Sequence, residues 1–266
     1  MHAALTATVL VLIVLGAFVL TASGIWWFTP LASNWNEIDG ALLLTLAVIG
    51  IAFVTLNLFL AYLVLRYRAR EQGRAQFIPD NPKIEKVLIG VTALGIIILL
   101  APGLFAYSRF ISPPKDAMVV EVVGEQWRWT YRYPGPDGRL GRSNPKLISP
   151  KNLFGIDLTD PAAHDDILSY SELHLPVHRP VLLQIRAKDV LHSFFIPSFR
   201  AKMDAVPGMV TSYWFTPTVE GKFQAVCAEL CGIGHHRMQS PVIVEKFDSF
   251  QQWLAKQPTV ATTVKP

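Results

Sequence analysis

The hydrophobic pattern changes character near residue 111. Before it lie long uncharged runs: Ala41 to Leu65 covers 25 residues and Val87 to Ser108 covers 22. A helix rises about 1.5 Å per residue, so either run exceeds the ~20 residues that cross a bilayer core. Buried helices of soluble proteins are shorter and striped with polar positions. Both runs are therefore predicted to span a membrane, as a hairpin over residues 29–110. A third uncharged run, Ala3 to Phe28, reads as a signal peptide or a first transmembrane helix over residues 1–28. No Lys or Arg precedes it, unlike a secretory signal, yet Ala22–Ser23–Gly24 would suit cleavage.

From Ala117 the period becomes two. Strands are predicted at Met118–Val123 and Gln126–Tyr133, the second with Trp127, Trp129, Tyr131 and Tyr133 on one face and Arg128, Thr130 and Arg132 on the other. Pro134 to Tyr170 has turn residues and no clear period, so a long surface excursion is expected. Strands resume at Ser171–Leu175, Val181–Arg186, Val210–Phe215, Gly221–Val226 and Pro241–Glu245. Short strands between Pro and Gly turns predict an all-β sandwich over residues 111–258. Within it, Phe247–Lys256 is an amphipathic helix with Asp248 or Ser249 as N-cap. Residues 259–266 read as a flexible tail.

Charge sharpens the topology. Residues 111–266 hold 17 Lys/Arg and 15 Asp/Glu, too balanced for a nucleic-acid footprint. The basic excess sits between the two spans, at Arg66, Arg68, Arg70, Arg74, Lys83 and Lys86, against Glu71, Asp80 and Glu85. By the positive-inside rule this connection is cytoplasmic and everything after Ser108 lies on the opposite side. Trp26, Trp27 and Trp35 on the outer side and Tyr67 on the inner side suit interfacial anchors in lipid, with Tyr107 and Phe110 at the exit of the second span. Glu85 stands at a helix start, where a solvated carboxylate is favoured.

The chemistry concentrates in Cys227–Ala–Glu229–Leu–Cys231–Gly–Ile–Gly–His235–His–Arg–Met238, which holds both cysteines of the chain. A second imidazole, His192, lies upstream; His164, beside Asp165 and Asp166, reads as a solvated loop residue. Two cysteines outside the membrane suggest a disulfide. Their company suggests a metal instead: thiolate, thioether and imidazole on one loop, with a histidine on another loop, form the ligand set of a cupredoxin-type copper site. Zinc would be satisfied by two cysteines and two histidines and stays a lesser alternative. Two thiolates on one loop can bridge two copper ions.

These residues carry a specific resemblance. The chain resembles subunit II of haem–copper cytochrome c oxidases, whose copper motif C-x-E-x-C-x-x-x-H-x-x-M is met by Cys227, Glu229, Cys231, His235 and Met238. The resemblance implies a cupredoxin-like sandwich with a dinuclear copper A centre. In it Cys227 and Cys231 bridge the metals, His192 and His235 are terminal ligands, Met238 is an axial thioether and Glu229 binds through its carbonyl. It further implies that the Glu229 carboxylate reaches a magnesium ion shared with subunit I, that Trp127 receives electrons and that Asp189 helps dock the donor, with bracing of the histidine loop as the alternative for Asp189. Glu85 matches a proton-uptake entrance, although Leu88 and Ile89 stand where the family has Trp-Thr. Arg132 departs too: the family often has an acid there that attracts a basic cytochrome c, so a less basic or membrane-tethered donor is expected. The implied function is to accept electrons from cytochrome c and pass them to haem in subunit I, for oxygen reduction coupled to proton translocation. Other oxidase subunits would be partners, and the membrane a bacterial-type plasma (inner) membrane with the domain on its periplasmic face. The same module serving a nitric oxide reductase, or a tethered copper carrier, are the alternatives.

Overall fold

The computed structural model describes residues 2–25, 29–68, 73 and 80–264. Trp26, Trp27 and part of the basic connection, including Arg70 and Arg74, lie outside these. The chain divides into a helical unit, residues 1–28 and 37–106, and a β unit, residues 29–36 and 107–266.

Three helices carry the apolar runs: α1 (His2–Ser23), α2 (Asn36–Arg66) and α3 (Pro82–Phe110). Each is long and apolar enough to cross a membrane, which makes α1 a candidate first span. Pro82 opens α3 without loss of a helical N–H, and Asn81 Oδ1 accepts the Ile84 N–H at 3.3 Å. Glu85 lies in that first turn, where its charge complements the helix N-terminus. The apolar side chains of all three helices point outward, from Leu12 and Phe18 to Phe59, Ile97 and Phe105. Only a non-aqueous solvent or a partner subunit can cover them.

The β unit is a sandwich of two five-stranded sheets, as expected of a cupredoxin-like domain. One runs β3-β2-β1-β5-β8, built from β1 (Met118–Glu125), β2 (Arg128–Tyr133), β3 (Ile167–Ser169), β5 (Val181–Ala187) and β8 (Thr211–Phe215). The other runs β4-β10-β9-β6-β7, from β4 (Leu173–Pro176), β6 (His192–Ile196), β7 (Ala201–Ala205), β9 (Gly221–Cys227) and β10 (Gln239–Glu245). Val120, Val122, Tyr131, Leu183, Phe194, Phe215, Ala225 and Val242 are buried in the core. In β5 burial alternates with partial exposure, the period-two signature of a strand covered better on one face.

Several expectations are corrected here. Strand β2 starts at Arg128, because Glu125 pairs with Arg128 and leaves Gln126–Trp127 as a two-residue turn; Trp127 is not on the strand face. Strands β3, β6 and β7 were not anticipated, and His192 opens β6 rather than sitting on a loop. The excursion does more than cross the surface. It buries Leu153, Phe154, Ile156 and Ala163 in one cluster with Val123 of β1 and Leu168 of β3. The predicted tail joins that cluster: α5 (Val260–Thr263) docks Val260, with Val264 beside it. Helix α4 (Phe247–Ala255) starts after Lys246 without a side-chain cap, so neither Asp248 nor Ser249 is its N-cap.

Trp35 is no interfacial anchor. It is fully buried, its ring 5.0 Å from Trp214 and 5.3 Å from Phe110, and its Nε1–H donates to the Trp214 carbonyl at 2.9 Å. Ser33 bridges to Pro217, and the Arg200 Nη2–H donates to the Thr29 carbonyl at 2.8 Å. The hairpin boundaries therefore move inward: residues 29–36 and 107–110 belong to the sandwich. Arg132 is likewise fully buried, its guanidinium paired with Asp166 and with Glu121 and donating to the Gly141 carbonyl at 2.7 Å. It does not face an incoming donor.

Candidate metal centre

Strand pairing assembles the site. β6 pairs with β9 so that Phe194 lies opposite Cys227, which brings His192, two residues earlier, beside the end of β9. Past Cys227 the chain leaves the sheet, and the Ala228 N–H donates to the Ser193 carbonyl at 2.9 Å. The loop closes when the Cys227 N–H donates to the Met238 carbonyl at 2.9 Å, just before β10. Ligands eleven positions apart in sequence are thus pinned to one pair of strand ends.

The donor atoms converge. Cys227 Sγ lies 3.7 Å from Cys231 Sγ and 3.9 Å from His192 Nδ1. Cys231 Sγ lies 3.6 Å from His235 Nδ1 and 3.8 Å from Met238 Sδ. The Glu229 carbonyl is 3.2 Å from Cys227 Sγ. Both thiols are free and buried, so the disulfide alternative is not what this structure holds. Among the described residues, His192, Cys227 and Cys231 form the one group of three such side chains whose ligand atoms lie within 4.8 Å of one another.

This set suits copper. Soft sulfur donors and imidazole match it, and the thioether of Met238 has no role in a four-coordinate zinc site. Burial, then the neighbouring Cys227 thiol, pushes the Cys231 thiol up to about 11. A bound cation reverses that preference, because the thiolate is the ligand and its proton leaves.

The surroundings fix the ligands. Asp189 Oδ1 is 2.8 Å from His192 Nε2, which holds the ring with Nδ1 toward Cys227. Asp189 Oδ2 accepts the Gln126 N–H at 2.7 Å. Burial opposes ionisation of Asp189, but the hydrogen bonds from His192, Gln126 and Val190 together keep its carboxyl below the ordinary value. Most of this carboxylate is committed to bracing the histidine rather than to an outside partner. Trp127 is 39% exposed and its Nε1–H donates to the Cys231 carbonyl at 3.3 Å, so one residue touches both solvent and ligand loop. Trp129, buried behind it, meets the His192 ring edge-on with centroids 5.9 Å apart.

His192, Cys227, Glu229, Cys231, His235, Met238, Trp127 and Asp189 therefore lie together. Glu85 belongs to the helical unit. His164 is exposed in the excursion, as expected. Sequence reasoning missed Gln126 and the glycines Gly232 and Gly234 against which Trp127 packs. Their signal was only adjacency to the residues that carry the motif.

Residues 118–247 match the family model described as cytochrome c oxidase subunit II, periplasmic domain. The chain is 43% identical over 256 residues to the alternative cytochrome c oxidase subunit 2 of Bradyrhizobium diazoefficiens, covering 96% of this chain and 92% of that one. It is 32% identical over 242 residues to cytochrome c oxidase subunit 2 of Cereibacter sphaeroides, covering 85% and 77%. A crystal structure of the periplasmic domain of subunit II of cytochrome oxidase from Bradyrhizobium japonicum aligns at 29% identity and a TM-score of 0.41, covering 54% of this chain and 95% of that one. Three spans ahead of an extramembrane domain give an inner-membrane protein with its C-terminal domain in the periplasm. The chain belongs to the cytochrome c oxidase subunit II family, as an electron-transfer subunit of a respiratory oxidoreductase complex.

Proposed function

We propose that this chain accepts electrons from cytochrome c at a dinuclear copper centre and passes them to haem in subunit I, where oxygen is reduced. The observation that carries this is the pair of free thiols 3.7 Å apart with two imidazoles and a thioether around them. Cys227, Cys231, His192 and His235, with Met238 and the Glu229 carbonyl, are the residues that would hold the metals. Two copper ions held there would supply one-electron storage shared over both metals.

The remaining work falls to the chain. His192 is fully buried, and Cys227, Cys231 and Met238 nearly so, which excludes water and fixes the ligands against rearrangement. Such burial suits a resident centre better than the exchangeable ligands of a copper carrier. Trp127 gives an incoming electron a route from the surface through the Cys231 carbonyl. Subunit I and other oxidase subunits are the partners that membership of the family supports. Lipid and those subunits are what the apolar helix faces require. The magnesium ion at the Glu229 carboxylate and proton uptake at Glu85 are expectations that rest on the resemblance alone.

Metal analysis and electron-spin spectroscopy of the purified full-length chain after copper loading test the proposal. Two coppers per chain sharing one unpaired electron are expected, with tighter loading as pH rises because thiol protons must leave. A single localised copper, or zinc bound in preference, would overturn it.

A further inference from the structure

Gln126 carries no ligand atom of the metal set, yet three segments meet on it. Its backbone N–H donates at 2.7 Å to Asp189 Oδ2, the carboxylate whose other oxygen holds His192. Its side-chain amide donates at 2.8 Å to the Cys231 carbonyl. A carbonyl can only accept, so the amide nitrogen, not the amide oxygen, faces it. The adjacent Trp127 indole sends a second N–H to that same oxygen at 3.3 Å. One dipeptide thus ties the histidine loop to the cysteine loop.

The Cys231 carbonyl needs holding. The next residue, Gly232, has φ +121, a conformation open to glycine and costly for other residues. A peptide flanked by glycine on one side rotates easily unless its oxygen is fixed, and fixing that oxygen holds the loop that carries Cys231 against the Gln126–Trp127 turn. A Cβ at Gly232 would lie 3.0 Å from Gln126 Nε2, so the glycine also leaves the amide room to reach its acceptor. Gln126 itself is exposed, where water competes for its hydrogen bonds. Its amide therefore adds little to global stability, and its effect is local to the site.

We propose that Gln126 is a positioning residue, a clamp that sets the spacing of His192, Cys227 and Cys231 before metal arrives; this rests on the reading of those residues as copper ligands. The test compares Gln126→Met, which keeps the reach and loses the donor, with Gln126→Lys, which keeps a donor at the chain end. Both are made in the full-length chain. In Gln126→Met, copper loss to a chelator should accelerate by about 10-fold or more, with altered copper hyperfine splitting and little change in thermal unfolding of the metal-free chain. Gln126→Lys should stay near wild type. Wild-type retention in Gln126→Met, equal acceleration in both variants, or failure of both to fold would each overturn the clamp.

Alkylation of Cys231 by iodoacetamide in the metal-free chain separates this from the copper reading. Faster alkylation of Gln126→Met upholds the clamp even if wild type binds no copper pair, and an unchanged rate counts against the clamp even if it does.

Discussion

A Cβ atom at Gly234 would lie 2.3 Å from Cδ2 of Trp127, and one at Gly232 would lie 3.2 Å from its Cζ2. The indole can rest against the metal loop because Gly234 lacks a side chain, and a Cβ at Gly232 would crowd it as well. Gly234 has φ −87, which alanine adopts freely, so its constraint is space and not backbone strain. Gly234→Ala should therefore leave the copper spectrum intact while displacing the indole. Reduction by cytochrome c is expected to slow by about 10-fold to 100-fold, while reduction by a small diffusible reductant is unchanged. Stopped-flow measurement of the copper absorption with both reductants decides it; equal slowing would mean a damaged centre. At this scale the ligands were legible because soft donors at fixed spacing have few other uses. Gln126 was not, since a lone amide before a tryptophan has no spacing to read.

Arg132 shows what is lost when an element is read without its cover. Period two placed it on the face opposite Trp129 and Tyr131, which is where it lies, and the outward face of a sandwich sheet is ordinarily wet. The excursion after β2 covers that face, so Arg132 ends fully buried among Asp166, Glu121, Ser143 and the Gly141 carbonyl. Nothing in the aperiodic stretch announced this, because Leu153, Phe154 and Ile156 are too few and too irregularly spaced to signal a packing layer. Removing one partner of a buried ion pair leaves its acids uncompensated, at about 3–5 kcal/mol. Arg132→Met should thus destabilise the sandwich by that order, measured by chemical denaturation of the detergent-solubilised chain. Its salt dependence with different cytochromes should not change. A stable variant with altered donor preference would return Arg132 to the docking surface. Similar reasoning explains Trp35, whose position between two apolar runs suggested lipid, while its actual neighbours, Trp214 and Phe110, come from far along the chain.

At the scale of the whole molecule, the two units divide the solvents as well as the labour. The helices expose apolar faces throughout, and the sandwich, with its near-balanced charge, suits water. The hairpin and its orientation were readable because a bilayer imposes a length and a charge asymmetry that few sequences meet by accident. That reading places Gly73 in the cytoplasm and Lys151 in the periplasm, both at exposed positions. Both native cysteines are buried, so an introduced thiol is the reactive one. In cells with a permeabilised outer membrane, a membrane-impermeant maleimide should label Lys151→Cys and spare Gly73→Cys until the inner membrane is broken. The opposite pattern would put the metal loop in the cytoplasm, out of reach of a periplasmic electron donor, and the electron-input reading of Trp127 would fall with the topology.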